Sequence, residues 1–377
     1  KFRLSLLGIQ TALGISILIV VATVWLQIRF LGKMDLGFDH KDLYYFKMSS
    51  DSLSVERNRD KLDSMILRYP SVVSHAYTSQ MPLVGSDNNF EPIKTEHGTV
   101  NSLMVSNGGD FFSMIGTNKI FQGQLSKKEK DVVVNQTFVD MMHWKDSVIG
   151  KTIITDISPN MGFGWADTFI VRGVTKNILY ENWEYKTYPI IYTYTSAHNG
   201  NFLLFRMKPN TDKAFVRNLE MKILNLFPGN PVQIKSSEAD YENSFQQVDF
   251  LFKVLSFFSV LIIVGVILGF VTYANFYFQR VRKEMILRVL MGAKPLDFLL
   301  FFAKDVAFSL SISLVGSWLL CGFVLKIFFS HFAYLVQYPY WLYLIIPLFF
   351  ILMAIFILWQ TLKQLLKKEP AEILKYE

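Results

Sequence analysis

Four long runs of uncharged, apolar residues limit what this chain can fold into. One lies near the N-terminus, at Leu4–Ile28, and three lie close together further on, at Val254–Gln279, Val306–Leu325 and about 340–362. A helix that crosses a bilayer core needs roughly 20 apolar residues. The composition agrees, since 51% of the residues are hydrophobic. The pattern therefore predicts one membrane helix, a large water-facing domain, and three further membrane helices.

The charges indicate which way the chain crosses the membrane. Residues 31–250 contain 23 Lys and Arg against 25 Asp and Glu, whereas the rest of the chain contains 15 against 6. Basic loops stay on the cytoplasmic side. Four crossings put the basic segments on one side, which predicts cytoplasmic termini, a cytoplasmic loop at 279–298, and 31–250 outside. A nucleic-acid surface is disfavoured, because the basic clusters coincide with helix ends and the large domain is slightly acidic.

These patterns predict an α-helical membrane protein with four transmembrane helices, arranged 1 + 3, and a large extracytoplasmic α/β + β domain. The predicted boundaries are 1–30 for the first helix, 31–250 for the outer domain, 251–362 for the three-helix domain, and 363–377 for a cytoplasmic tail. Within the outer domain, strand–helix–strand patterns at about 41–80 and 203–240 predict one α/β subdomain. Short strands between turns at about 81–202 predict a mostly β insertion.

The sequence contains no complete motif for catalysis or metal binding among those tested. Gly150-Lys151-Thr152 resembles the end of a phosphate-binding loop, but Lys145 stands where that motif needs its first glycine. The six histidines have no metal-ligand spacing, and Gly-x-Ser-x-Gly is absent from the sequence. We therefore expect no catalytic residues, no metal site and no cofactor on this chain.

Small residues in the apolar runs predict close helix packing. Gly265 and Gly269 form a GxxxG pair, and Ser309, Ser313 and Ser317 repeat every four residues. Small side chains let helix backbones approach closely in lipid. Packing within the chain and packing against a second membrane unit are both consistent with this pattern.

The predicted cytoplasmic loop reads as a short amphipathic helix. It combines basic residues with apolar residues at helical spacing, and Gly292 is expected to end it before Pro295 starts the next helix. Such a helix could fill a groove on a cytosolic ATPase, or rest on lipid. The candidate coupling residues are Arg280, Arg282, Lys283, Glu284, Met285, Ile286, Arg288, Val289, Leu290, Gly292 and Ala293.

This loop, RVRKEMILRVLMGAKPLDFLLFF at 280–302, resembles that of MacB/FtsX-type ABC transporter permeases, with Met285 in place of the usual Ile. Four further segments are similar to the same family in the same order. They are WLQIRFLGKMDLGFDHKDL at 25–43, DVVVNQTFV at 131–139, DSVIGKTI at 146–153 followed by FIVRGVTKNI at 169–178, and EPAEILKYE at 369–377.

The resemblance implies a non-catalytic permease subunit, or half of one, with a MacB-like periplasmic core domain in a bacterial inner membrane. It implies cytosolic ABC ATPase subunits that bind ATP and Mg²⁺, a second permease unit, and a periplasmic or outer-membrane partner. It also implies mechanotransmission, in which ATP hydrolysis moves the periplasmic domain for export or extraction of a lipoprotein, peptide or amphiphile.

Two alternatives stay open at the level of sequence. The Asp-Leu-Gly-Phe-Asp stretch at 35–39 is most similar to the second repeat of double-length, eight-helix Bacteroidota-type permeases, so the chain is either a full subunit or one half. The competing function is a membrane-anchored sensor or scaffold that regulates a periplasmic partner such as a cell-wall hydrolase and needs no ATPase.

Overall fold

The structure is a computed structural model that describes residues 2–48, 52–84, 90–95, 98–117, 122–123, 128, 130–145, 147–154, 168–194, 201–227, 232–290 and 295–366. The chain divides into two compact units. The membrane unit consists of Lys1–Lys33 and Gln247–Glu377, and the sheet unit consists of Met34–Gln246.

The described residues form eight helices and eleven strands. The helices are α1 (Phe2–Leu31), α2 (Ser52–Leu67), α3 (Phe111–Met114), α4 (Gln136–Met141), α5 (Lys213–Leu226), α6 (Ser237–Leu290), α7 (Pro295–Phe329) and α8 (Leu342–Leu366). The strands are β1 (Leu43–Lys47), β2 (Val72–Thr78), β3 (Phe90–Thr95), β4 (Gly98–Gly109), β5 (Gln122–Gly123), β6 (Asp131–Asn135), β7 (Thr152–Ile154), β8 (Thr168–Thr175), β9 (Ile190–Tyr194), β10 (Phe202–Met207) and β11 (Lys235–Ser236).

Four of the helices are long and apolar enough to cross a membrane. The candidate spans are Ser5–Leu31, Ser237–Val281, Val306–Phe329 and Leu342–Gln364, with mean hydropathies of 2.2, 2.9, 2.0 and 2.8. Each overlaps one of the four predicted runs. Together with the mixed α/β sheet between the first and second spans, they confirm the predicted 1 + 3 fold class.

The described residues of the membrane unit form a buried core to which α1, α6, α7 and α8 all contribute. The residues at its centre are Ile15, Ile19 and Val24 from α1, Val266, Phe270 and Phe278 from α6, Cys321 and Leu325 from α7, and Phe350, Ala354 and Leu358 from α8. Large apolar side chains on the outer faces of α6, α7 and α8 stay exposed, among them Leu268, Leu319 and Leu344. This inside-out pattern is suited to a hydrocarbon surrounding rather than to water.

The sheet unit is built on one mixed sheet in the order β11-β1-β10-β2-β4-β9-β6-β8-β5, with β3 attached to β4 and β7 attached to β8. Its first four strands come from the two predicted strand–helix–strand units. Strand β10 lies between β1 and β2 and is antiparallel to both, and β11 pairs with β1. When these four strands are numbered by their order in the chain, their order in the sheet is 4-1-3-2, which is the ferredoxin-like βαββαβ arrangement. Residues 79–201 are inserted between the second and third of these strands.

Two of the hydrophobic clusters that pack against this sheet lie within the described residues. One packs α2 and α5 against β1, β2 and β10, with Leu62, Ile66, Leu219 and Phe205 at its centre. The other lies within the insertion and contains Val132, Val171, Ile191 and Phe138. The insertion therefore has its own core, while β4 pairs with both β2 and β9 and makes the sheet continuous.

Candidate functional site

The candidate coupling segment lies at the C-terminal end of α6. The backbone is helical from Arg280 through Leu290, and α7 begins at Pro295. Arg280 is exposed. The predicted positions Gly292 and Ala293 lie outside the described residues.

This segment differs from the sequence prediction in one respect. The prediction placed a separate short helix in the loop, whereas α6 is one helix of 54 residues from Ser237 to Leu290. The prediction ended the span at the first charge, Arg280. A charge ends the lipid-embedded part of a helix but not the helix itself, and residues 280–290 contain no Gly or Pro that would break it.

The predicted serine row on α7 faces α1 of the same chain. Ser313 Oγ donates hydrogen bonds to the carbonyl oxygens of Gly8 and Ser309, both at 2.8 Å. Ser16 Oγ lies 3.5 Å from the carbonyl oxygen of Ser317, and Ser317 is fully buried. A Cβ on Gly8 would lie 3.0 Å from Ser309 Oγ, so α1 and α7 meet with little room to spare.

The two glycines of the predicted GxxxG pair have different surroundings. A Cβ on Gly269 would lie 2.6 Å from Gln10 Oε1 and 3.4 Å from a methyl group of Leu7, both on α1. A Cβ on Gly265 would meet no atom within 4 Å in the described part of the chain. The close approach of α6 to α1 therefore occurs at Gly269.

One polar contact in the membrane unit was missed by the sequence reasoning. Gln27 is fully buried near the end of α1, and its Nε2 donates to the carbonyl oxygen of Tyr334 at 2.7 Å. Its Oε1 accepts from the backbone N–H of Val336 at 2.9 Å. The signal was available, because Gln27 is an amide inside an apolar run.

The Asp-Leu-Gly-Phe-Asp stretch, which follows α1, is fixed to the sheet unit by both of its carboxylates. Asp35 Oδ1 accepts from the backbone N–H of Gly37 at 2.9 Å, and Asp35 Oδ2 pairs with Lys176 at 3.0 Å. These contacts hold the pKa of the Asp35 carboxyl below its usual range, the Gly37 N–H having the largest effect. Asp39 Oδ2 pairs with Arg206 on β10 at 3.1 Å.

Arg206 makes further hydrogen bonds to backbone carbonyl oxygens around the Asp-Leu-Gly-Phe-Asp stretch. Its Nη1 donates to the carbonyl oxygen of Lys41 at 2.7 Å, and its Nη2 donates to that of Asp39 at 2.9 Å. Its Nε donates to the carbonyl oxygen of Met114 at 2.8 Å. One guanidinium thus satisfies backbone groups from two loops as well as a carboxylate, as the planar five-donor fork of arginine allows.

The first turns of α6 are held to the sheet unit by aromatic contacts. The rings of His40 and Tyr241 stack at 4.4 Å, and Trp183 packs against Tyr241 and Phe245 at 6.0 and 4.8 Å. Tyr45 OH donates to Asp240 Oδ2 at 2.6 Å. Burial lowers the pKa of His40, because it disfavours the charged imidazolium.

The described residues contain no group of three or more His, Cys, Asp or Glu that could hold a metal ion.

Comparison with known proteins identifies the C-terminal part. Residues 256–370 match the family model described as FtsX-like permease C-terminal. No curated protein matches the sequence significantly.

Three solved structures resemble part of the chain. The periplasmic region of MacB from Actinobacillus actinomycetemcomitans is 11% identical, covers 56% of this chain and 95% of its own, and has a TM-score of 0.39. A domain of a permease protein from Porphyromonas gingivalis is 13% identical, with coverages of 52% and 90% and a TM-score of 0.37. The extracellular domain of the noncanonic ABC-type transporter YknZ from Gram-positive bacteria is 10% identical, with coverages of 51% and 98% and a TM-score of 0.34. At TM-scores below 0.5, these likenesses assign neither fold nor function.

The protein is a multi-pass membrane protein of the permease class. Residues 256–370, which cover most of α6 and all of α7 and α8, match the FtsX-like permease C-terminal family, and this match confirms the resemblance to MacB/FtsX-type ABC permeases that the loop at 280–302 predicted.

Proposed function

We propose that this chain is a non-catalytic permease subunit, or half of one, in an ABC transporter complex. In this proposal it lies in a bacterial inner membrane with the sheet unit in the periplasm. Cytosolic ATPase subunits bind ATP and Mg²⁺, and a second permease unit completes the complex. The observation that carries the proposal is the FtsX-like permease match over 256–370, which includes the candidate coupling segment.

We further propose mechanotransmission as the mode of action. Two features support it. The candidate coupling segment, which ends at Leu290, and Ser237 belong to one helix. In the sheet unit, the stretch after α1 is attached to β10 through Arg206, and β11, which leads into α6, pairs with β1 beside β10. The stretch after α1 leads into β1, and the strand that leads into α6 pairs with β1, so the two connections meet the sheet at neighbouring strands.

The substrate class in this proposal is a lipoprotein, a peptide or another amphiphile. Sequential movement of the sheet unit would perform work on such a molecule outside the membrane core, without a polar path through the helices. The competing sensor or scaffold function would use the same sheet unit but would not need an ATPase.

The proposal is tested at the coupling segment. We predict that Ile286→Asp or Leu290→Asp loosens a co-expressed cytosolic ABC ATPase, because a charge forfeits roughly 1.5–3 kcal/mol of apolar burial in a partner groove and adds a desolvation cost. Arg288→Ala should have a smaller effect, since an exposed ion pair contributes only about 0–1 kcal/mol. The measurement is ATPase co-purification and ATP hydrolysis in nanodiscs.

The matched control is Gln364→Asp, which adds a charge at an exposed position near the end of α8, on the same predicted side of the membrane. It should leave co-purification unchanged. Wild-type protein that captures no ABC ATPase would refute the transporter proposal and favour the sensor or scaffold. Normal capture by both Asp variants would remove the coupling role from this segment.

A further inference from the structure

The connection between α7 and α8 is an unusual segment for a membrane unit. Residues 332–339 form no helix or strand, so their backbone groups need partners other than a regular ladder. Backbone polar groups are costly to leave unpaired where water is scarce. The buried amide of Gln27 supplies such partners to Tyr334 and Val336, two residues apart.

The two Gln27 contacts have the geometry of a strand neighbour. An amide side chain carries one acceptor and one donor group. Here Nε2 lies 2.7 Å from the carbonyl oxygen of Tyr334, and Oε1 lies 2.9 Å from the backbone nitrogen of Val336. Both ends of the amide are used, and the side chain is fully buried, so water does not compete for either contact.

Aromatic side chains also pack the connection between α7 and α8 against both of those helices. Tyr338 packs against Phe329 at the end of α7, with ring centroids 6.1 Å apart. It also stacks on Tyr343 in α8 at 6.0 Å, and the two hydroxyl groups are 2.5 Å apart. The connection is thus attached to α1 by Gln27 and to α7 and α8 by Tyr338.

Other polar contacts join α1 to α7 in the earlier turns of α1. Ser313 Oγ bonds to Gly8 O at 2.8 Å, and Cys321 Sγ lies 3.4 Å from Ser16 O. Gln27 adds the contact at the last turns of α1, beyond the serine row.

We propose that Gln27 is a positioning residue that makes the end of α1 and the α7–α8 connection move as one body. This inference rests on the proposed function, because it assigns Gln27 a task in transmitting movement from the membrane helices. The task is mechanical: the amide couples α1 to the connection by two hydrogen bonds.

The first test measures the two hydrogen bonds of the Gln27 amide directly and requires no ATPase. In Gln27→Met, hydrogen exchange in peptides covering 332–341 of the full chain in nanodiscs should accelerate about tenfold, the factor that corresponds to one net hydrogen bond. Peptides from 306–325 should keep their protection. The matched control is Thr23→Val, one turn earlier, where a fully buried hydroxyl bonds only to Ile19 O of its own helix. Unchanged exchange in Gln27→Met would overturn the proposal.

The second test distinguishes a Gln27 that transmits movement from a Gln27 that only stabilises the α7–α8 connection. Gln27→Met should still capture the ATPase, yet ATP hydrolysis should no longer respond to the permease. Gln27→Glu should show the wild-type response of ATP hydrolysis at acidic pH only. A protonated carboxyl can donate to the carbonyl oxygen of Tyr334, whereas a carboxylate is repelled by that oxygen. Faster exchange with an unaltered hydrolysis response would reduce Gln27 to a structural role. Failure of wild-type protein to capture an ATPase would refute the proposed function and leave the exchange result standing.

Discussion

Gly37 shows how a single residue fixes the stretch that follows α1. It has a φ of +83°, and a Cβ there would lie 1.9 Å from the carbonyl oxygen of Asn177. The Asp35 side chain holds this turn through the Gly37 N–H. The Asp-Leu-Gly-Phe-Asp stretch therefore needs glycine at its centre for both conformation and space.

We predict that Gly37→Ala is far more destabilising than Gly150→Ala. Both glycines have positive φ, at +83° and +89°, but a Cβ on Gly150 would meet nothing within 4 Å among the described residues. Gly150→Ala should cost only the strain of a disfavoured conformation, about 1–2 kcal/mol, whereas Gly37→Ala must also displace a backbone. Thermal unfolding of the full chain, followed by tryptophan fluorescence, measures the difference. Equal Tm values would contradict the clash.

His40 makes the stability of the sheet unit depend on pH. Its pKa in the folded state lies below the ordinary value of about 6.5, because burial opposes the charge, while Asp39 and Glu238 act against this and Lys41 and Arg206 add to it. As the pH falls through about 6.5, the unfolded chain binds a proton that the folded chain does not, so stability decreases. It stops decreasing from this source below the folded-state pKa.

The corresponding prediction is that His40→Phe flattens the fall in Tm between pH 7 and pH 5. Phenylalanine keeps a ring against Tyr241, which stacks on His40 at 4.4 Å, but does not titrate. Tyr241→Phe is the control, since it preserves His40 and should preserve the pH dependence. A His40→Phe variant with the wild-type slope would show that His40 does not contribute.

At the scale of elements, α1 is the helix around which the membrane unit packs. It contacts α7 through the serine row and α6 through Gly269, and Phe350 of α8 lies against Gly14, whose Cβ would be 3.1 Å from that ring. Small residues on α1, α6 and α7 permit these approaches.

The two glycines of α6 give a matched test of this packing. Gly269→Leu should destabilise the membrane unit by about 1–3 kcal/mol, the cost of overpacking, because Gln10 and Leu7 must move. Gly265→Leu, one turn earlier on the same helix, should be tolerated. Thermal unfolding in detergent compares them, and a Gly265→Leu variant as unstable as Gly269→Leu would place the contact elsewhere.

At the scale of the whole molecule, the charge distribution predicts that the sheet unit lies on the side opposite the termini. Asn218→Cys, exposed on α5, should react with a membrane-impermeant maleimide in intact cells. Gln364→Cys, exposed near the end of α8, should react only after permeabilisation. The native Cys321 is buried and gives little background. The reverse labelling pattern would invert the topology.

The sequence by itself predicted the four long apolar helices, the two strand–helix–strand units and the β character of the insertion. The strand–helix–strand units predicted at about 41–80 and 203–240 correspond to β1–α2–β2 and β10–α5–β11, and each of the four apolar runs overlaps one of four long helices. These features depend on length and on periodicity along the chain, which are local properties. The last strand of the second unit, β11, is only two residues long, Lys235–Ser236, and its pairing with β1 sets its place.

Only the tertiary structure decided which elements meet. It joined the inserted strands to the ferredoxin-like strands through β4, selected Gly269 over Gly265 as the contact with α1, and brought Asp39 to Arg206. It also placed the buried amide of Gln27 against a connection some three hundred residues further along the chain. Such contacts depend on the closure of long stretches of chain and on the fit of two surfaces, and neither is written in the local pattern of the sequence.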